Sequence, residues 1–455
     1  MNRGPYGGDV RLSGFQPPAQ ALTSDIRITA VEWNDEDVPL SYSFGYAPLG
    51  FTSKSEIQSL GPRSISANAI WQKPPAGNWT IVCSIYDTFQ AQTVKVVQLI
   101  VEEVELTSEK QDELFAAMSS NADTGDNAGS QQVAGNLASA LNSQASTASR
   151  RRRRLSEAEA DAEAAARRAT RQNVMSFLNQ NKGSSSSDKQ AIKQQAGVVA
   201  TVAAVPTEMT GDSVDGGAEL LGGMLDSNEG ELEEGTELQL ASALDSMIDA
   251  TSNVLATSGN ATSVALRMRL LSEAQDAGSG DFEQIDPEVA AAIARTQGLV
   301  SNVDRTGDAM ISAQIPGEEP AAVSTGNLGM RVGKEYGCAL DGAGFDGAPV
   351  AGLPGGGFEM PRGSLCDDAV YSRRKLVEVV HRGRRRLQSA SESGDALQVG
   401  MKGFGTNTKG AQDGNETGTP VSSIGFKNAD GSEKKISNPT PPTRIKIPIK
   451  PIPPI

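Results

Sequence analysis

Between Ile26 and Val101 large side chains fall on every second residue, and that period dictates what this part of the chain can become. Ile26-Arg27-Ile28-Thr29-Ala30-Val31 alternates, and Trp33-Asn34-Asp35-Glu36-Asp37 then supplies a polar turn. Leu40-Ser41-Tyr42-Ser43-Phe44-Gly45-Tyr46 alternates again. Ile81-Val82-Cys83-Ser84-Ile85-Tyr86 runs into a turn at Asp87, and Thr93 to Val101 closes the segment with β-branched residues. Successive side chains of a strand point to opposite faces, so a period of two between turn signals means strands with one buried face. Several in succession predict a β-sandwich over residues 22–106. Its structural residues are expected to be Trp33, Tyr42, Phe44, Ile85 and Asp87, with Cys83 a small core residue.

At Thr107 the period changes. Ser108-Glu109-Lys110-Gln111 reads as a capping box before Leu114, Phe115 and Met118. Val133, Leu137 and Leu141 recur every four residues, and Ile192, Val198, Val199 and Val202 form a weaker apolar face. Leu232, Leu238, Leu240, Leu244, Met247, Ile248 and Val254 make a stronger one, and Val289 to Val303 another. Residues 107–311 are thus predicted to be short amphipathic helices packed on one another, with an arginine-rich and a serine-rich linker (Ser184 to Ser187) between them. Residues 312–455 are rich in glycine and proline, with short strand-like pieces. Gly342 to Gly357 and Ser389 to Ser432 read as mobile loops, and Ile445-Lys446-Ile447 as a strand before a proline-rich end.

Composition limits how much of this can be densely packed. Aromatic residues make up only 4% of the 455 residues, glycine totals 48, and the net charge is -15. Aromatic and large aliphatic side chains carry most of the burial energy, so ordered islands separated by looser stretches are expected. The negative charge argues against a generic nucleic-acid binder, because neutralising phosphates requires a basic face. No run of 18 apolar residues is present to span a bilayer. The opening Met1-Asn2-Arg3-Gly4-Pro5-Tyr6 lacks the apolar stretch of a signal peptide and reads as the interior of a longer gene product.

Catalytic chemistry has little to work with. General acid–base and nucleophilic sites lean on histidine, and His381 stands alone, between Val380 and Arg382. No phosphate-binding loop or dinucleotide fingerprint follows a strand, three cysteines cannot form a tetrahedral zinc site alone, and Asp341 to Gly347 lacks EF-hand spacing. No catalytic residue, cofactor or metal is therefore assigned. Cys338 and Cys366 bracket a glycine-rich loop; they are either two buried thiols or a disulfide, which would contribute about 3 kcal/mol. Asn78-Trp79-Thr80, Asn260-Ala261-Thr262 and Asn415-Glu416-Thr417 are N-glycosylation acceptors if the chain is secreted. The arginine runs ending at Arg154 and Arg386 read as solvated loop insertions, as processing sites for a basic-specific protease, or as nucleic-acid patches.

Several short motifs, in order, resemble one family. Trp33, Asp35 and Pro39-Leu40-Ser41-Tyr42-Ser43-Phe44 look like the start of a receptor-for-egg-jelly (REJ) module. Pro75-Ala76-Gly77-Asn78 and Ile81 to Asp87 resemble its closing hairpin, which polycystic-kidney-disease (PKD) repeats share. Leu106 to Thr251 is similar to the helices that follow in that family. Ile315 to Pro320, Ser324 to Leu328, and Ile436 to Ile449 look like the approach to a GAIN domain, the autoproteolysis-inducing fold. The family's Cys/Trp-rich box with its cleaved His-Leu-Ser/Thr is not matched, so self-cleavage is not carried over. The resemblance implies a mixed, multi-domain architecture: an Ig-like or PKD-like β-sandwich, a helical region, then partial GAIN-like β structure with disordered insertions. It also implies a non-catalytic extracellular region of a polycystin-1-like membrane protein, serving adhesion or mechanical sensing. The partner implied is a polycystin-type cation channel subunit or an extracellular ligand, at the outer face of the cell membrane. The competing reading of the residues is an intracellular, largely disordered scaffold that binds nucleic acid or partners through its arginine runs.

Overall fold

A computed structural model describes residues 2–151, 157–181, 188–227, 232–257, 287–312, 314–336, 344–350, 355, 357–360, 396–404, 421–428, 433 and 444–446. The chain forms two compact units, one comprising residues 1–270 and 276–302, the other 271–275 and 303–455. Helices and several small sheets are both present, so the architecture is mixed, and the strands before Thr107 and most of the helical region after it belong to one unit.

The first unit opens with eight strands: β1 (Asp9–Ser13), β2 (Ala19–Gln20), β3 (Asp25–Val31), β4 (Ser41–Pro48), β5 (Gln58–Ser59), β6 (Asn68–Gln72), β7 (Gly77–Tyr86) and β8 (Gln92–Glu102). They make a three-stranded sheet in the order β1-β3-β6 and a five-stranded sheet in the order β2-β8-β7-β4-β5. All pairings are antiparallel except β2 with β8. The alternation in β3 buries Ile26, Ile28 and Ala30, and that in β7 buries Ile81, Cys83 and Ile85. Across the two sheets Trp71 of β6 stacks on Tyr46 of β4 with ring centroids 4.3 Å apart, and meets Trp79 of β7 edge-on at 5.9 Å. The sheets therefore share a core in a sandwich-like arrangement. They begin at Asp9, earlier than the alternation indicated, because β1 and β2 are short and flanked by glycine and proline that mask their period.

Seven helices are described: α1 (Ser108–Asp123), α2 (Asn127–Arg151), α3 (Glu157–Gln180), α4 (Lys189–Ala203), α5 (Gly211–Ser227), α6 (Thr236–Thr257) and α7 (Pro287–Ile311). The cap of α1 is Thr107, whose hydroxyl accepts from the Lys110 N–H, so the helix is closed one residue before the expected box. Leu114 and Met118 of α1, Val133, Leu137 and Leu141 of α2, and Leu240, Leu244 and Met247 of α6 are buried as their spacing predicted. Helices α3 and α5 were not evident in the sequence. Alanine and charge in α3, and glycine in α5, dilute the apolar stripe on which a helix is recognised.

Helix and sheet meet through amide side chains. The Gln72 N–H at the end of β6 donates to Gln132 Oε1 of α2 at 2.9 Å, and its carbonyl accepts from Asn136 Nδ2 at 2.7 Å. Gln132 Nε2 also donates to the Leu60 carbonyl. These bonds satisfy backbone groups that a buried strand end would otherwise leave unpaired. At Gly197 of α4 a Cβ would lie 2.1 Å from Gln58 Oε1 of β5, so the Gln58 side chain packs directly over the helix backbone there.

The second unit contains a four-stranded antiparallel sheet, β14-β13-β10-β9, formed by Val421–Asn428, Ala396–Phe404, Leu328–Tyr336 and Ala321–Ser324. A three-stranded sheet joins β11 (Gly344–Asp346), β12 (Gly357–Glu359) and β15 (Arg444–Lys446). Phe345 and Phe358 of this sheet and Leu397, Val399 and Met401 of β13 form one core cluster. Strands β11, β13 and β14 fall within stretches expected to be mobile. Their glycines hide the alternation, and each is held by pairing with a neighbouring strand, β11 with β12 and β13 with β14. The end of α7 is tied to the larger sheet by ion pairs of Asp304 with Lys402 and of Asp308 with Lys427.

Candidate functional site

The two turns that carry Asp35, Asp37 and Asp87 come together at one end of the sandwich. The β3–β4 connection supplies Asp35 and Asp37, and the β7–β8 turn supplies Asp87; carboxylate oxygens of the three lie within 4.8 Å of one another. Thr88 donates from both its N–H and its hydroxyl to the Asp37 carbonyl, each at 3.2 Å, which fastens one turn to the other. Asp35 Oδ1 accepts from the Asp37 N–H at 2.8 Å, and Asp87 Oδ1 from the Ala91 N–H at 2.8 Å. Asn2 Nδ2 donates to Asp87 Oδ2. Asp87 is 1% exposed, and Asp35 Oδ2 is buried without a hydrogen-bond partner among the described residues. None of the three carboxylates forms an ion pair with a described residue. Burial holds the Asp37 carboxyl above its ordinary value, and the charges of Asp35, Asp87 and Glu36 push in the same direction. An all-oxygen, anionic donor set of this kind is what hard divalent cations take, and Asp35, Asp37 and Asp87 are the residues that could hold one.

The expected structural residues divide. Phe44, Ile85 and Asp87 are buried, and Tyr42 is half-buried, its hydroxyl pKa raised by burial. Trp33 is not in the core. Glu32 adopts a left-handed conformation (φ 59°) that turns the chain out of β3, and the indole comes to lie against Gly8, partly exposed, with Nε1 donating to the Asp9 carbonyl at 3.3 Å. The core indole is Trp71, whose segment Asn-Ala-Ile-Trp-Gln carries too little alternation to stand out. Cys83 is buried, and burial pushes its thiol up to about 12, far from a reactive thiolate. Asn78 is exposed on β7. Asn260, Asn415, Cys338, Cys366, Arg154, Arg386 and His381 lie outside the described residues.

A second polar cluster, invisible to sequence reasoning, sits among the helices. Arg171 of α3, fully buried, donates to Glu208 Oε2 at 3.0 Å, to the Val202 carbonyl at 2.9 Å and to Asn142 Oδ1 at 2.6 Å. Arg167 donates to Glu208 Oε1 at 2.7 Å. Desolvation lowers the pKa of Arg171, and the Glu208 carboxylate opposes that shift. A groove of about 610 Å³ opens beside this network, lined by Ala145, Ala148, Ala160, Ala164, Arg168 and Thr207. The network locks α3 to the turn before α5; it has the full hydrogen bonding that a buried charge pair needs.

No protein-family model matches the sequence, and no curated protein matches it. Among the described residues no helix is long and apolar enough to cross a membrane.

Proposed function

We propose that the chain is a recognition and force-bearing module of the extracellular kind, working through its surfaces and its rigidity. Within that class, the reading is the REJ/PKD-like region of a polycystin-1-like membrane protein, running into a GAIN-like segment. Its role is adhesion or mechanical sensing that regulates a calcium-conducting cation channel.

The observation that carries this reading is the strand order. The orders β1-β3-β6 and β2-β8-β7-β4-β5 support it, being those expected if β1, β3 and β6 play the parts of strands A, B and E, and β4, β7 and β8 those of C, F and G, in an immunoglobulin-like sandwich. That is the architecture a PKD or REJ module is expected to have, and it occupies the part of the chain whose motifs resemble one. The hydrogen bonds that the Gln72 backbone donates to Gln132 Oε1 and accepts from Asn136 Nδ2 couple the sandwich to the helices that follow. A load taken by the module would pass directly into the helical region, as a sensing element requires.

An antibody raised against residues 22–106 tests the reading on cells that express the native protein. Labelling of intact cells, removed by external protease, is the expected result. Labelling that requires permeabilisation would overturn it.

A further inference from the structure

We infer that Asn78 carries an N-linked glycan whose first sugars lie over the outer face of the five-stranded sheet. The inference rests on the extracellular reading above. Asn78-Trp79-Thr80 is an acceptor sequence without proline, and the structure adds what the sequence could not. Asn78 is exposed, and its side-chain amide makes no hydrogen bond to a described residue. In the β7–β8 register Asn78 stands directly opposite Ile100. Opposed residues share a face of the sheet with Cβ atoms about 5 Å apart.

That face of β8 is unusually apolar for a surface in water. Val94, Val96 and Ile100 point the same way and are 48%, 49% and 64% exposed. Opposite them on β7 stand Ser84, Val82 and Asn78, of which only Val82 is buried. β2 pairs only with the Val101–Glu102 end of β8. Exposed β-branched residues on one sheet face, here interrupted only by Gln98, favour association with other apolar surfaces unless something covers them. The C–H face and acetyl methyl of N-acetylglucosamine provide such a cover, and a sugar on Asn78 begins beside Ile100.

The transfer itself needs a lipid-pyrophosphate-linked oligosaccharide. Asn78 Nδ2 bonds to the anomeric carbon, the bond from that carbon to the pyrophosphate oxygen breaks, the lipid pyrophosphate departs, and one amide proton is lost. Acceptors are modified on the extended chain before folding, so the burial of Thr80 in the finished strand is no obstacle.

The test expresses the full chain behind a cleavable secretion signal in mammalian cells and maps peptides before and after peptide N-glycosidase treatment in ¹⁸O water. Occupied Asn78 is expected, with the mobility shift of one glycan lost in both N78Q and T80V and kept in T80S. Enzymatic removal of the glycan from folded protein should raise binding of a hydrophobic dye, and V96T/I100T should abolish that rise. A folded, secreted chain with Asn78 bare overturns the inference, and an occupied Asn78 whose removal leaves dye binding unchanged overturns the covering role. A native protein labelled at the cell surface but bare at Asn78 sinks this inference alone. A secreted chain modified at Asn78, with a native protein never labelled at the surface, sinks the extracellular reading instead.

Discussion

Trp71→Ala should cost the β-sandwich about 3–5 kcal/mol, the range for removing a large aromatic side chain from a packed core. Trp71 is fully buried, with its ring stacked on Tyr46 at 4.3 Å and edge-on to Trp79 at 5.9 Å. Both ring contacts are lost together, and each is worth about 0.5–1.5 kcal/mol beyond its area, so the upper half of the range is expected. Trp71 Nε1 has no hydrogen-bond partner among the described residues. Trp71→Phe therefore removes a buried orphan donor as well as volume, and should cost less than half as much as the alanine change. Trp33→Ala is the internal control. Its indole is partly exposed and holds one hydrogen bond to the Asp9 carbonyl, so its loss should cost about 1 kcal/mol. Urea unfolding followed by far-ultraviolet circular dichroism measures all three without relying on the fluorophores being changed. If Trp33→Ala proves as damaging as Trp71→Ala, the assignment of the core is wrong.

Glu208→Gln should destabilise the helical part of the first unit by about 3–5 kcal/mol, because it leaves the buried Arg171 charge uncompensated; thermal unfolding by circular dichroism measures it, and a loss under 1 kcal/mol would refute the network's importance. The raised pKa of Asp37 means that its carboxyl holds a proton more tightly folded than unfolded. It therefore adds stability as the pH falls through the folded pKa toward the unfolded one, and that increment is absent at neutral pH. Put the other way, the ionised carboxylate costs folding at neutral pH and protonation relieves that cost. Asp37→Asn carries no charge at any pH, so the variant should melt above wild type at pH 7 and the difference should shrink toward pH 4; a difference constant with pH would contradict the assigned environment. Cys83, with its thiol pushed up to about 12, should resist alkylation at pH 8 in the folded chain and react on unfolding, as read by mass mapping of its peptide; rapid native labelling would show that β7 is not buried.

Much of the first unit was legible in the sequence because its signals are local. A strand with one buried face must alternate, so β3, β4, β7 and β8 could be read from side-chain order alone, and so could the apolar stripes of α2 and α6. Elements that alternation does not mark escaped: β1 and β2 are short, α5 is too rich in glycine, and glycine and serine interrupt the apolar positions of β13 and β14. The site divides in the same way. Asp35 and Asp87 each lie in a readable turn, but only the pairing of β4 with β7 brings those turns within reach of each other. Trp33 and Trp71 are equally hydrophobic in sequence. One left-handed residue, Glu32, sends the first to the rim, while the register of β6 against β3 drives the second into the core. Asn78 is marked as an acceptor by three adjacent residues, yet its apolar neighbour Ile100 is set by strand pairing. Local periodicity is written in the order of residues, whereas burial, charge pairing and cross-strand neighbours are properties of segments that meet only after the chain has folded.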